Sequence, residues 1–406
     1  LTRGLRDFHN LGVKNMLIKK IVKPGSTLID YACGKGGDLP KWIAAKLKFI
    51  LGVDLAKDNI ENRLDGACAR YLNYSKKIDN MPGAIFLNAN SALNLKSGTA
   101  FYDEKSKHIF DALNGTGNKS EIVSSKGVYK HYGIVSNGFN VSSIQFELHY
   151  MFETVETLNN FIKNISECTA LNGYLIGTCY NGNKVFNMLS KIDQNKSISL
   201  FNKQNKIWEI TKRYNNTEFK NDESCMGYAI DIYQESINKT FREYLVNFTY
   251  LNRVLENYGF VKLSHDDLNE LDLTNSVNSF EELYNELFEK SKYDINLKKT
   301  LGNTFNMTKE EKEISFLNNY FIYKKVRHVT NVEKLDITAN DKIEELDKQL
   351  ENIELEKSEE IKPKIVQEES SSIDISKKKS IEEKTKEIEE KIRLAKEKKR
   401  NSKKST

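Results

Sequence analysis

Leu28-Ile29-Asp30-Tyr31-Ala32-Cys33-Gly34-Lys35-Gly36-Gly37-Asp38-Leu39 is the stretch on which the reading of this chain turns. A β-prone run from Thr27 to Ile29 leads to an aspartate, a glycine-rich turn follows, and Leu39 to Ala45 is compatible with a helix. Strand, glycine turn and helix in that order make the ligand-binding turn of a doubly wound α/β domain. Glycines remove side chains where a ligand must lie against backbone. Ala32-x-Gly34-x-x-Gly37 is a degenerate dinucleotide fingerprint, but Asp30 and Asp38 beside it would repel a pyrophosphate and suit a ligand carrying positive charge. S-adenosylmethionine, with a sulfonium, an ammonium and no phosphate, meets that requirement. A plain glycine turn between core elements is the alternative.

Outward from this turn the pattern continues as α/β. Residues 1–23 read as a basic amphipathic helix with Leu5, Phe8, Val13, Leu17, Ile18 and Ile21 on its apolar face, ended by Pro24-Gly25. Lys48 to Asp54 is a second buried strand ending in an acid, at the distance from Asp30 where a second-strand carboxylate meets a ribose diol. A helix from Lys57 to Ser75 and a strand from Ala84 to Asn88 follow. Residues 91–138, rich in Gly, Ser, Lys and Asn, read as a long loop without a clear period. Phe139 to Phe146 is a fourth strand, Val155 to Leu171 a helix stopped by Asn172-Gly173, and Tyr174 to Thr178 a fifth strand. Residues 180–240 read as a polar insertion packed over the sheet, before a helix from Tyr250 to Tyr258 and strands at Gly259 to Leu263 and Leu317 to Val326. Residues 1–330 then form the folded domain. In 331–406 aromatics give way to Glu/Lys blocks, a composition expected to be disordered or a solvated helix.

Composition bounds the function classes. Hydrophobic content of 39% supports a core, and a net charge of +5 does not by itself imply nucleic acid. Five dispersed cysteines without a CxxC pair argue against a zinc site and a disulfide scaffold and fit a reducing compartment. No run approaches the length of a membrane span, and no signal peptide is visible. The first residue is Leu, so the chain is expected to be cut from a longer polypeptide.

Three blocks, the first of them around the opening turn, carry a resemblance. Asp30-x-x-Cys33-Gly34-Lys35-Gly36-Gly37-Asp38-Leu39-x-Lys41-Trp42, then Gln145-Phe146-x-x-His149-Tyr150-x-Phe152-Glu153, then Glu243-Tyr244-Leu245-Val246 occur in that order. Together they resemble the mRNA cap (guanine-N7) methyltransferase family, and especially the methyltransferase module of large-DNA-virus capping enzymes. The resemblance runs from about Leu5 to Lys325 with gaps at 91–138 and 180–240. It implies a Rossmann-like class I S-adenosylmethionine-dependent methyltransferase, a seven-stranded mixed sheet with flanking helices and a hairpin-bearing reversed strand at its edge. It also implies methyl transfer to N7 of the guanosine cap of RNA 5′ ends, with capped RNA as partner and triphosphatase and guanylyltransferase domains fused or associated. The implied location is intracellular: the virion or a cytoplasmic virus factory if viral, the nucleus if cellular.

The resemblance also assigns residues. Lys14, in a block similar to Arg6-Asp7-Phe8-His9-Asn10…Lys14 with one extra residue before the lysine, would hold the methionine carboxylate. Asp38 and the backbone around Ala32 and Gly34, next to Asp30, would meet the ammonium and sulfonium end, and Asp54 the ribose hydroxyls. Asn90 stands where the family has an aspartate facing adenine, and Gln145 lines the same cleft. For the substrate, Glu243 would accept from guanine N1–H and N2–H, His149 would donate to O6, and Phe146 or Tyr150 would stack on the base. Tyr320, or alternatively Asn318, would contact the base from the last strand, and Lys35 and Arg70 would meet the triphosphate bridge. Guanine N7 carries a lone pair and no proton, so no residue is assigned as acid, base or nucleophile.

Two other readings stand beside this one. A methyltransferase for another substrate would keep the glycine loop without needing Glu243, His149 and Arg70. A non-catalytic stimulatory subunit of the same fold would be expected to lose the loop and its acids, which this chain keeps. A dehydrogenase is disfavoured by Asp38.

Overall fold

The computed structural model describes residues 2–117, 126–235 and 237–329; the charged tail expected at 331–406 lies outside the described residues. Strands β1 (Thr27–Asp30), β2 (Phe49–Asp54), β3 (Gly83–Asn88), β4 (Phe139–Gln145) and β5 (Thr169–Tyr180) form the centre of a mixed sheet. Four more, β6 (Ser197–Asn202), β7 (Asn205–Lys212), β8 (Ala229–Gln234) and β9 (Lys239–Tyr244), make a separate antiparallel sheet in sequential order. The last three, β10 (Phe260–Lys262), β11 (Val277–Ser279) and β12 (Asn318–Lys325), return to the first sheet.

Across the main sheet the order is β3-β2-β1-β4-β5-β12, with β10 and β11 both paired to the outer side of β12. The sheet therefore has seven strand positions, the outermost divided between two short strands. Neighbours from β3 to β5 pair in parallel and β12 runs against β5. The expected reversed strand is thus β12, one position in from the edge. β1 and β2 are buried throughout, the continuous apolar pattern of parallel strands covered on both faces. The order reverses beside β1, and the crevice at the carboxyl ends of β1 and β4 is where such sheets bind ligands.

Several expectations change. The N-terminal helix is three consecutive segments, α-helical over Arg3–Asp7, π-helical over Phe8–Lys14 and α-helical again over Asn15–Ile21. A π-turn takes up one more residue than an α-turn, which accommodates the additional residue noted before Lys14 while Phe8, Val13, Leu17, Ile18 and Ile21 all stay buried. The helix expected from Lys57 to Ser75 is two, Lys57–Glu61 and Ala67–Ser75, because Asn62 turns the chain with its side chain bonded to the Leu64 amide at 2.9 Å. Within 91–138, a helix at Glu104–Leu113 is capped by Asp103, whose carboxylate accepts from the Ser106 amide. The helix expected to stop at Asn172-Gly173 ends at Cys168; Asn172, at φ 61°, makes its turn inside β5 instead.

The polar stretch 180–240 is the largest departure, since it contains the helix Gly182–Leu189 and most of the second sheet. Trp208, Ile210 and Lys212 alternate inward along β7 and pack with Tyr180, Val185, Leu189 and Ile230. The Trp208 indole donates to the Tyr180 hydroxyl at 3.2 Å, tying this sheet to the end of β5. Among the described residues no helix is long and apolar enough to cross a membrane.

Candidate active site

The glycine turn between β1 and the helix Leu39–Ala44 builds the first half of the site. Gly34 and Gly36 adopt φ values of 52° and 70°, a conformation that glycine enters without steric cost. Gly37 has an ordinary φ, and a Cβ placed on it would meet nothing within 4 Å. The protein's own packing therefore does not require a glycine at position 37; open space lies over it.

Four acids surround this space. Asp38 is half-buried between two lysines, with Lys14 Nζ at 3.1 Å and Lys41 Nζ at 2.7 Å. Burial pushes the Asp38 carboxyl up, but the two ammonium groups outweigh it and hold it below the usual carboxylate range. Asp54, at the end of β2, accepts from the amides of Gly34 at 2.7 Å and Ala56 at 2.9 Å and from Asn59 at 2.9 Å. Asp30 accepts from the Ala32 amide at 3.1 Å; burial, then Asp38, raise its pKa to about 7. The fourth acid, Glu147, follows β4. Burial, then Asp54, raise it to about 8.

On the adenine side, Asn90 Oδ1 already accepts from the Ala92 amide at 2.9 Å, which leaves it one lone pair. Gln145, buried at the end of β4, accepts from Thr178 at 3.2 Å and donates to Ser143 at 3.3 Å. Phe146 follows at φ 62°, a backbone conformation rare for a bulky side chain and concentrated at functional sites. Its ring stacks on His9 at 5.0 Å between centroids, and Lys14 Nζ lies 5.5 Å above it.

The second half is a pocket of about 290 Å³ walled by the N-terminal helix, the turn after β4, the end of β5, the second sheet and the start of β12. His9, Phe146, Glu147, His149, Tyr150, Glu243 and Asn318 line it, with apolar Trp208 and Phe241. His149 and Glu243 come from segments 94 positions apart and face each other, Nδ1 to Oε2 at 3.7 Å. Burial holds the His149 imidazole neutral, with a pKa down to about 3. Burial, then Glu147, raise Glu243 to about 8. Among the described residues, His149 Nε2, Glu243 Oε2 and Asn318 Oδ1 are buried without a hydrogen-bond partner. An unmatched buried polar atom costs free energy of order 1–3 kcal/mol, so three in one pocket favour a polar guest.

Of the two candidates on the last strand, Tyr320 does not line the pocket and Asn318 does. Tyr320 is buried in the main core with its hydroxyl donating to the Asn275 carbonyl at 3.3 Å. The two share a face of β12, but Tyr320 sits two residues further along, opposite Thr178 and in the same core cluster as Phe280 and Tyr284. Lys35 and Arg70 do come together, away from the pocket. Lys35 Nζ holds the Asp65 carboxylate at 2.8 Å, and Arg70 Nε donates to the Asp65 carbonyl at 2.9 Å. His9 and Glu147 received no role from the sequence; both stand inside quoted blocks, and an acid directly after Gln145-Phe146 was the available signal.

A mixed sheet with this strand order, a glycine turn and acids at the ends of β1 and β2 define an S-adenosylmethionine-dependent methyltransferase. The Lys14–Asp38 pair presents the charges that complement the carboxylate and ammonium of the cofactor's amino-acid end, and the open space over Gly37 leaves room for it. The model of the mRNA (guanine-N(7))-methyltransferase domain matches residues 3–326, and the chain belongs to that family. It is 28% identical over 347 residues to a protein of Acanthamoeba polyphaga mimivirus named as a probable mRNA-capping enzyme, covering 81% of this chain and 28% of that one. It is 26% identical over 269 residues to the mRNA cap guanine-N(7) methyltransferase of Saccharomyces cerevisiae, covering 66% of this chain and 52% of that one. The chain thus spans about a quarter of the viral relative and about half of the yeast one. Among solved structures, the CcbJ methyltransferase of Streptomyces caelestis is 9% identical with a TM-score of 0.42, covering 78% of this chain and 90% of that one.

Proposed function

We propose that this chain transfers the methyl group of S-adenosylmethionine to N7 of the guanine that caps RNA 5′ ends. The observation that carries the reading is the pocket holding His149, Glu243 and Asn318, each with an unmatched buried polar atom, next to the glycine-turn cleft. Guanine offers two donors, N1–H and N2–H, on one edge and the acceptor O6 beside them. Glu243 accepts from the donors, and the neutral His149 ring donates to O6. An adenine in the same place would leave the carboxylate unmatched, which is how a polar pocket rejects the wrong base.

The cofactor supplies an already electrophilic methyl group, and guanine N7 has no proton to lose. The protein is left with alignment and electrostatics. Phe146, stacked on His9 and joining cleft to pocket, orients the base. Glu243 accepts more strongly from the methylated, cationic guanine than from the neutral one, which favours the transition state over the ground state. Lys35 and Arg70, held near each other by Asp65, are the residues proposed for the triphosphate bridge. Similarity to a viral protein named for mRNA capping supports partnership with triphosphatase and guanylyltransferase domains, fused or separate.

Incubation with methyl-labelled S-adenosylmethionine tests the reading. GpppA- or GpppG-capped RNA should take up label at N7 and uncapped RNA of the same sequence should not; equal labelling of both would redirect it to another methyltransferase substrate, and no labelling of either to a non-catalytic subunit.

A further inference from the structure

Glu147 stands apart from the other acids of the cofactor cleft. Asp38 is neutralised by Lys14 and Lys41, Asp54 is held by two backbone amides and Asn59, and Asp30 by the Ala32 amide. Among the described residues the Glu147 carboxylate has neither a hydrogen bond nor an ion pair. It follows Phe146 at the carboxyl end of β4 and lines the base pocket together with Glu243 and His149. Its charge is felt by Glu243 and Tyr150 on the pocket side, while Asp54, Lys14 and Asp30 act on it from the cofactor side. It therefore occupies the seam that a methyl group must cross.

We propose that Glu147 is a charge-reading positioning residue, whose carboxylate favours the sulfonium-bearing cofactor over the neutral thioether, S-adenosylhomocysteine, that remains after transfer. The inference rests on the methyltransferase reading. The two ligands share adenine, ribose and amino-acid ends and differ by one methyl group and one positive charge, so residues that hold the shared parts cannot separate them. Asp38 is poorly suited to the task because its charge is taken up by two lysines. An unpaired carboxylate in a half-buried seam is suited to it, since a unit charge a few ångströms away in such a medium changes affinity by about tenfold or more.

The groups that face Glu147 set the sign of the pH dependence. They are Lys14 and the neutral His9 from the N-terminal segment, Asp30 and Asp54 from β1 and β2, His149 and Tyr150 from its own turn, and Glu243 from β9. Burial and the acids outweigh Lys14 and raise Glu147 to about 8. In the free protein at neutral pH it holds a proton, and arrival of the sulfonium releases that proton to solvent. Preference for the charged cofactor accordingly grows as pH rises to about 8 and then levels.

Calorimetry on the intact chain tests this with three ligands: S-adenosylmethionine, S-adenosylhomocysteine, and an analogue carrying an ammonium in place of the sulfonium. In buffers of different ionisation enthalpy, the wild type should release a proton on binding either cation at neutral pH and prefer both over S-adenosylhomocysteine, increasingly so as pH rises. Glu147→Gln should lower that preference about tenfold, weaken its pH dependence and reduce the proton release to what Asp30, raised to about 7, contributes, while S-adenosylhomocysteine binds as before and reports a folded site. Unchanged preference and proton release in the variant would overturn the proposal, and so would equal loss of all three ligands, which would make Glu147 a structural residue. If the wild type bound none of the three, the cofactor reading itself would fall, an outcome distinct from both.

Discussion

The Lys14 ammonium lies 3.1 Å from the Asp38 carboxylate, joining the π-helical turn of the N-terminal segment to the end of the glycine loop. On the proposed function, each partner exchanges the other for the matching group of the cofactor's zwitterionic end. Lys14→Ala and Asp38→Ala should each weaken S-adenosylmethionine binding by about tenfold or more. The double variant should lose less than the product of the two, because the residues act on one ligand end and on each other. Calorimetric titration of the three variants checks this; fully multiplicative losses would mean that the two residues serve separate purposes.

Asn318 and Tyr320 test which end of β12 faces the base. Asn318→Ala should raise the KM for capped RNA several-fold, about the effect of one buried hydrogen bond, and leave S-adenosylmethionine affinity unchanged. Tyr320→Phe removes only a hydroxyl bonded to the Asn275 carbonyl in the core and should leave that KM unchanged. Steady-state kinetics on both variants decide the matter, and the reverse pattern would restore the tyrosine to the pocket.

Much of the cofactor half was legible before the structure because its parts are close in sequence. Asp30, Gly34 and Asp38 sit on one turn, and Asp54 ends the next strand. The base pocket was harder to see because its walls come from five distant segments. Glu243 and His149 were recognised only through family blocks, while the sheet that carries Glu243 was hidden in a polar stretch. There β8 and β9 alternate too weakly for pattern alone, as with the exposed run Lys239, Thr240, Phe241 and Arg242 before buried Glu243. The position of Lys14 depended on a π-turn, which periodicity based on 3.6 residues per turn does not anticipate. The choice between Tyr320 and Asn318 stayed open because the two share a face of the strand, and sequence gives the face of a residue and not its depth.

Glu243 should make the free protein less stable as pH rises. Its folded pKa, raised by burial and then by Glu147 to about 8, lies above its ordinary value of 4.5. Between these values the folded state binds more protons than the unfolded state, so stability falls with increasing pH. Glu243→Gln should therefore raise the Tm of the free protein relative to wild type at about pH 8 and lose that advantage at about pH 5. Thermal unfolding at the two pH values gives the answer; an advantage independent of pH would show that Glu243 is ionised throughout.

Lys325 is a structural counterpart. Buried at the end of β12, its ammonium donates to the Ser166 and Thr169 carbonyls, each at 2.6 Å, where the helix Val155–Cys168 runs into β5. These bonds satisfy carbonyls that the helix end leaves open. Lys325→Met keeps the apolar stem and removes the donors, and it should cost roughly 2 kcal/mol or more in denaturant unfolding with no change in the KM for either substrate. An unchanged stability would mean that other groups satisfy those carbonyls.

Glu243→Ala separates base recognition from cofactor binding in two measurements on one protein: calorimetric affinity for S-adenosylmethionine and labelled methyl transfer to GpppA-capped RNA. The carboxylate belongs to the pocket on the second sheet and not to the glycine-turn cleft. Cofactor affinity should stay within about twofold of wild type and transfer should fall by about a hundredfold or more, the loss expected when a buried site no longer pairs the donors of its base. Undiminished transfer to capped RNA by this variant would contradict guanine recognition by Glu243.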